Sequence, residues 1–169
     1  MSVSYNKFFY LRGNKNKYKC NLLQFDGNSK PNPGALSCGI IIMSPKVIED
    51  ILTTYRTPLF EYGYYKKDKK YDNNESEFYA LFKGLEHALE NDIYDLVIEG
   101  DSLLVIDSII NKKVLRKPYS DYLEKIQLYI PIFNTLAVRH IKRDKNDEAD
   151  YLARIAYIYN KNFETRYFD

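Results

Sequence analysis

Residues 21–43 read NLLQFDGNSKPNPGALSCGIIIM. The opening apolar run, Asn21 to Phe25, has the length of a buried strand and ends on a carboxylate, Asp26. KPNPG behind it is a turn cluster with two prolines and a glycine. Cys38 to Met43 is Ile-rich and strand-like again. Strands joined by so short a turn run antiparallel. Residues 48–65 continue in β-branched and aromatic residues and predict one or two further strands, then a charged loop, KKDKKYDNN.

Further out the period changes. Phe78, Leu81, Phe82, Leu85, Ala88 and Leu89 fall at helical spacing and predict an amphipathic helix over about 75–91. Asp95 to Glu99 reads as a buried strand. Asp101 then opens a second helix with Val105, Ile109 and Ile110 inward. A basic connector, Lys112 to Pro118, leads to a helix over Asp121 to Phe133, a strand over Leu136 to Ile141 and a last helix over Asp147 to Asn160. Strands separated by helical crossovers run parallel. The fold class is α/β: a mixed five-stranded sheet, an antiparallel meander followed by parallel strands, flanked by helices. Residues 1–18 are polar and aromatic without a period, and are expected to form an arm or an extra edge strand; residues 19–169 are expected to form the main domain.

Bulk composition excludes several classes. The 169 residues suit one domain, and 45% hydrophobic content supplies a core. A net charge of +2 is only mildly basic, so affinity for nucleic acid has to come from local patches. Cys20 and Cys38 stand in no metal-binding spacing. No signal-peptide pattern and no membrane-length apolar run occurs, so a cytoplasmic or nuclear protein is expected, with no membrane and no readable obligate protein partner.

Four acids carry the chemistry: Asp26 in FDGNSKPNPG, Glu77 in NNESEFYAL, Asp101 in IEGDSLLV and Asp150 in HIKRDKNDEADYLA. Each has a structural use by itself. Asp26–Gly27 fits a turn. Asn74 with Glu77 fits a capping box. Asp101 can cap the second helix, and Asp150 lies in a first helical turn, where negative charge is favoured. Taken together they converge on one end of a sheet, where carboxylates repel one another unless cations neutralise them. Carboxylate oxygens suit hard ions such as Mg²⁺ or Mn²⁺.

These four segments, in this order from about Leu22 to Ala156, resemble the signature segments of type 1 ribonucleases H. The resemblance implies a ribonuclease H-like fold and an endonuclease that hydrolyses the RNA strand of RNA–DNA hybrids. It implies that Asp26, Glu77, Asp101 and Asp150 hold two Mg²⁺ or Mn²⁺ ions roughly 3.5–4 Å apart, bridged by Asp26. Products would carry 5′-phosphate and 3′-hydroxyl ends. His140 matches the family's histidine for proton transfer or product release. Asn32, Asn73, Asn74, Lys70 and Asn146 match or flank its substrate contacts, the amides suiting 2′-hydroxyls in the minor groove.

Departures from the family pattern carry expectations of their own. Pro31 replaces a common Gly and stiffens the first loop. Asp72 replaces a Thr that in relatives helps hold a DNA-strand phosphate, which Lys69 and Lys70 would have to offset. Lys142 replaces a common Pro. NKKVLRK is too short for the family's basic protrusion, and Trp is absent. Lys66, Lys67, Lys69 and Lys70 interleave with tyrosines and could follow a phosphate backbone. Two alternatives stand beside the nuclease. A 3′–5′ exonuclease would open with Asp-x-Glu, which Asp26–Gly27–Asn28 lacks. A non-catalytic nucleic-acid-binding module with the same fold would bind hybrid without metal.

Overall fold

The axis of the fold is β2, Asn21–Lys30, whose residues are buried from Leu22 to Gly27 because strands pair along both its edges and helices pack on its two faces. On one side it pairs antiparallel with β3, Gly34–Met43, in a register running from Leu22↔Met43 to Lys30↔Ala35. β3 pairs antiparallel with the long strand β6, Pro58–Tyr71. On the other side β2 pairs parallel with β7, Asp95–Gly100, and β7 pairs parallel with β8, Thr135–His140. Two short strands close the edges, both antiparallel: β1, Phe9–Arg12, beside β8, and β9, Phe163–Arg166, beside β6. The order across the sheet is β1-β8-β7-β2-β3-β6-β9. A separate ribbon pairs β4, Val47–Ile48, with β5, Thr54–Tyr55. This computed structural model describes residues 7–48 and 54–167. The expectations placed on residues 1–6 and 49–53 lie outside them.

Four helices flank the sheet: α1, Asn73–Glu90; α2, Leu103–Asn111; α3, Tyr119–Tyr129; and α4, Asp147–Tyr159. The main core joins Leu23, Phe25, Ile40 and Ile42 of the sheet to Phe78, Leu81 and Leu85 of α1 and to Leu123 and Ile126 of α3. Strand side chains alternate between faces, so Gly39, next to Ile40, looks the other way. There it meets α4: a Cβ on Gly39 would lie 2.0 Å from the Ala149 carbonyl. The sheet is therefore sandwiched between α1 with α3 and α4. No helix among the described residues is long and apolar enough to cross a membrane.

The mixed sheet and its helical flanks are as the sequence indicates, but the described strands differ in several places. β2 runs on to Lys30 and β3 starts back at Gly34, because their ladder continues from Gly27↔Cys38 to Lys30↔Ala35, so Asp26 lies within β2 and not at its end. The main sheet has seven strands, not five. β1 and β9 are four residues each and mostly exposed, too short for a periodic signal. The expected charged loop KKDKKYDNN is largely strand, because Leu36↔Lys66 and Gly34↔Tyr71 extend the β3–β6 ladder through the lysines. Side-chain caps also fall elsewhere than expected. Asp72, not Asn74, caps α1 by accepting from the Glu75 N–H at 2.7 Å, and Ser102, not Asp101, caps α2. The third helix ends at Tyr129 and passes into a 3₁₀ turn, since Pro131 has no N–H for the α-helical ladder.

Candidate metal centre

Parallel pairing of β2 with β7 sets Phe25 beside Gly100, so the residues that follow, Asp26 and Asp101, emerge together. The third acid arrives on α1. Gly27 makes that possible: a Cβ there would lie 2.2 Å from the Ser76 carbonyl oxygen and 2.5 Å from the Glu77 nitrogen. The helix start is fixed by Asn73 Oδ1 accepting from the Ser29 N–H at 2.9 Å, and by the Ser29 and Ser76 hydroxyls 2.6 Å apart. One carboxylate oxygen from each of Asp26, Glu77 and Asp101 lies within 4.8 Å of the other two. They line a cleft of about 150 Å³ together with Gly27, Asn28, Asn73 and Arg143.

The electrostatics of this trio are unfavourable without a cation. Burial, then the Asp101 charge and Asp150, pushes Asp26 up to about 7, against a smaller lowering by the hydrogen bond with Glu77. Burial, then the charges of Asp26 and Asp101, raises Glu77 well above the usual carboxylate range, opposed by a hydrogen bond from the Gly27 backbone. Glu77 Oε2 is buried with no hydrogen-bond partner. An orphaned carboxylate oxygen beside two other carboxylates fits a hard divalent cation, which satisfies lone pairs and offsets charge at once.

Asp150 stands next to the trio without joining it. It is close enough to hydrogen-bond Asp26, yet its Oδ2 also takes an ion pair from Arg154, one helical turn along α4, at 2.8 Å. His140 is the last residue of β8, with Nε2 3.1 Å from the Asp101 carbonyl, so the tautomer protonated there donates to it. Asn146 is wholly buried. Its Nδ2 donates to the Phe25 carbonyl at 2.9 Å and to Asp101 Oδ2 at 3.1 Å. Expected as a substrate contact, it has no surface to offer a substrate; its amide group ties β2 to the residue that follows β7.

Of the amides expected at the surface, Asn32, Asn73 and Asn74 are exposed and adjacent, and Asn73 lines the cleft. Asn32 Oδ1 accepts from the Asn73 N–H at 3.1 Å. Lys70 is exposed on β6 and does not line the cleft. Asp72 holds no pocket open: Oδ1 caps α1 and Oδ2 accepts from the Tyr119 hydroxyl at 2.6 Å. The connector from α2 to α3 spans only residues 112–118, with no helix that could form a basic protrusion. Sequence reasoning missed Asn28 and Arg143. The first sits two residues past Asp26 in the same strand; the second belongs to the basic run between His140 and Asn146, which carries no positional signal.

A central β2 flanked by one antiparallel and one parallel neighbour, with Asp26 where its pairing to β7 stops, Asp101 just past β7 and Glu77 on the facing helix, defines the ribonuclease H-like class. The family model described as reverse transcriptase-like matches residues 25–156, and the chain belongs to this ribonuclease H-like family. RNase H1 from the halophilic archaeon Halobacterium salinarum NRC-1 is 26% identical, covering 82% of this chain and 97% of its own, with a TM-score of 0.70. The structure of LC11-RNase H1 in complex with an RNA/DNA hybrid is 23% identical over 83% of this chain and 98% of its own, with a TM-score of 0.68. The N-terminal RNase H domain of a Mycobacterium tuberculosis protein is 20% identical over 82% and 94%, with a TM-score of 0.66. No curated protein matches the chain.

Proposed function

We propose that this protein is an endonuclease that hydrolyses the RNA strand of RNA–DNA hybrids, with residues 19–169 as its catalytic unit. The observation that carries the proposal is the trio itself: three carboxylates, two of them buried, with oxygens within 4.8 Å of one another and one oxygen orphaned. The matched ribonuclease H1 structures, one of them holding a hybrid, support it.

Asp26, Glu77 and Asp101 would hold the divalent ions, two of Mg²⁺ or Mn²⁺, with Asp150 completing the set on leaving Arg154. When bound, such ions supply an activated water and charge neutralisation at the leaving oxygen. Asn146 keeps Asp101 aimed at the cleft, and Gly27 keeps Glu77 against it. His140, whose Nε2 lies 3.1 Å from the Asp101 carbonyl, would accept or return a proton. Asn73, with Asn32 and Asn74 beside it, offers donors and acceptors for 2′-hydroxyls in the hybrid's minor groove. The products are 5′-phosphate and 3′-hydroxyl ends.

Cleavage of a labelled RNA–DNA hybrid with Mg²⁺ or Mn²⁺, beside duplex RNA and duplex DNA, tests the proposal. Metal-dependent cutting of the hybrid's RNA strand, abolished in Asp101→Asn, is expected. Tight hybrid binding without cutting under either ion would instead identify a non-catalytic binding module.

A further inference from the structure

A second concave site lies away from the acid cluster and shares no lining residue with its cleft. On the sheet face opposite α1, the side chains of Leu22, Val97 and Ala137 form a small apolar patch with Cys20. Beside it is a pocket of about 280 Å³ lined by four cations, Lys17, Lys46, Arg56 and Arg139, and by one carboxylate, Glu99. Glu99 is already committed, since it pairs with Arg139 and accepts from Gln24 Nε2 at 2.8 Å.

Arg139 is paired with Glu99, and backbone carbonyls and aromatic rings hold the other cations. Arg56 donates to three backbone carbonyls, Cys20 at 2.7 Å, Ser44 at 2.9 Å and Lys17 at 3.1 Å, so its guanidinium is fixed where three segments of chain meet. Aromatic faces position the others. Lys17 Nζ lies 5.1 Å from the Phe8 ring and 5.3 Å from the Tyr18 ring; Lys46 Nζ lies 4.5 Å from the Tyr18 ring; the Arg139 guanidinium lies 4.5 Å from the Phe8 ring. Arg139 Nε is buried with no hydrogen-bond partner. Ring quadrupoles offset only part of the mutual repulsion of grouped cations. An oxyanion would relieve the rest and could take charge-assisted hydrogen bonds from donors already in place.

Size and shape narrow the ligand. The volume exceeds what a lone phosphate occupies and approaches that of pockets for small organic ligands. Across Phe8, Lys17, Tyr18 and Arg139 the pocket continues into a groove of about 740 Å³ edged by Lys7 and Asn14. We propose that this pocket binds the phosphate of a nucleotide unit, free or within a single strand, through Lys17, Lys46 and Arg139. The assignment is independent of the hybrid-cleavage reading.

Calorimetric titration of the full chain in EDTA tests it, with AMP, inorganic phosphate and a short oligothymidylate as probes. AMP should bind, more tightly than phosphate. Lys17→Ala/Lys46→Ala should weaken it about tenfold or more, and Asp101→Asn should leave it unchanged. Both lysine side chains lie over rings, and Lys46→Ala alone, expected to weaken AMP by a smaller factor, provides a milder variant. Tighter binding of the oligothymidylate than of AMP would identify a strand as the ligand, and equal binding a free nucleotide. Absence of AMP binding at millimolar concentration, phosphate as tight as AMP, loss in Asp101→Asn or indifference to the lysine variants would each overturn the assignment.

Discussion

Gly27 and Glu77 are fitted to one another: the Glu77 nitrogen occupies space 2.5 Å from where a Cβ on residue 27 would stand, and the Gly27 backbone donates to the Glu77 carboxylate. Bare backbone on β2 is what lets α1 deliver its acid to Asp26. Gly27→Ala must push the helix start away, because the clashing atoms are backbone and cannot rotate aside. A cost of about 2–3 kcal/mol is expected, lowering Tm by roughly 5–10 °C. Divalent-ion affinity should fall with it. Thermal unfolding and metal titration check this, and a variant with wild-type Tm and metal affinity would contradict the packing described.

Asn146 makes a second prediction, of a positioning role. Asn146→Ala releases Asp101 and strands the Phe25 carbonyl. Metal affinity should drop about 10- to 100-fold, as for lost partners of metal ligands elsewhere. Hybrid affinity measured in EDTA should stay unchanged, since the side chain is buried. The opposite split, weakened hybrid binding with metal affinity intact, would restore the substrate contact expected from sequence.

The metal-free protein should lose stability as pH rises. Asp26 is raised from its ordinary 3.8 to about 7, and Glu77 also lies well above its ordinary value. An acid whose folded pKa is raised binds a proton more tightly when folded. Its contribution is complete below the unfolded value, near 4, and is lost as pH climbs through the folded value, near 7 for Asp26. In EDTA, the change in Tm from pH 5 to pH 8 should be more negative for wild type than for Asp26→Asn. Added Mg²⁺ or Mn²⁺ should raise Tm more at pH 8 than at pH 6, because ion and proton compete for the same oxygens. Parallel pH profiles for wild type and Asp26→Asn would refute the coupling.

The lysines of β6 are not equivalent. Lys69 pairs with Glu75 at 2.7 Å, and Lys66 lies over the Tyr71 and Tyr79 rings. Lys67 and Lys70 are exposed, which leaves them the better placed to meet phosphates. Lys67→Ala/Lys70→Ala should weaken hybrid binding and lower the slope of log K against log salt by about one to two units. Lys69→Ala should change the slope less. Equal slopes for wild type and the double variant would remove β6 from the substrate surface.

Much of this molecule is legible in local pattern. The apolar runs 21–25 and 95–99 and the helical spacing from Phe78 to Leu89 each record a one-sided or buried environment, so strand, strand and helix could be read directly. Asp26 directly follows the first run and Asp101 stands two residues past the second; Asp101 lies just beyond β7 as expected, whereas β2 continues to Lys30 and keeps Asp26 within it. β1 and β9 were missed as strands or left open because a four-residue edge strand buries too little to leave a period. The lysine-rich end of β6 read as loop because charged residues dominate it; only the ladder to β3 makes it strand.

The order of the longer elements and the strand or helix nearest each acid were thus readable from the chain, because both depend on neighbours within a few residues. Tertiary structure alone decided which groups meet. It brought Asp26, Glu77 and Asp101 together; it turned Asn146 inward; it gathered Lys17, Lys46, Arg56 and Arg139, spread over more than a hundred positions, around one pocket. The physical reason is the same in each case. Charge pairing, burial and backbone clearance act through space, and these contacts span separations along the chain that no local pattern encodes.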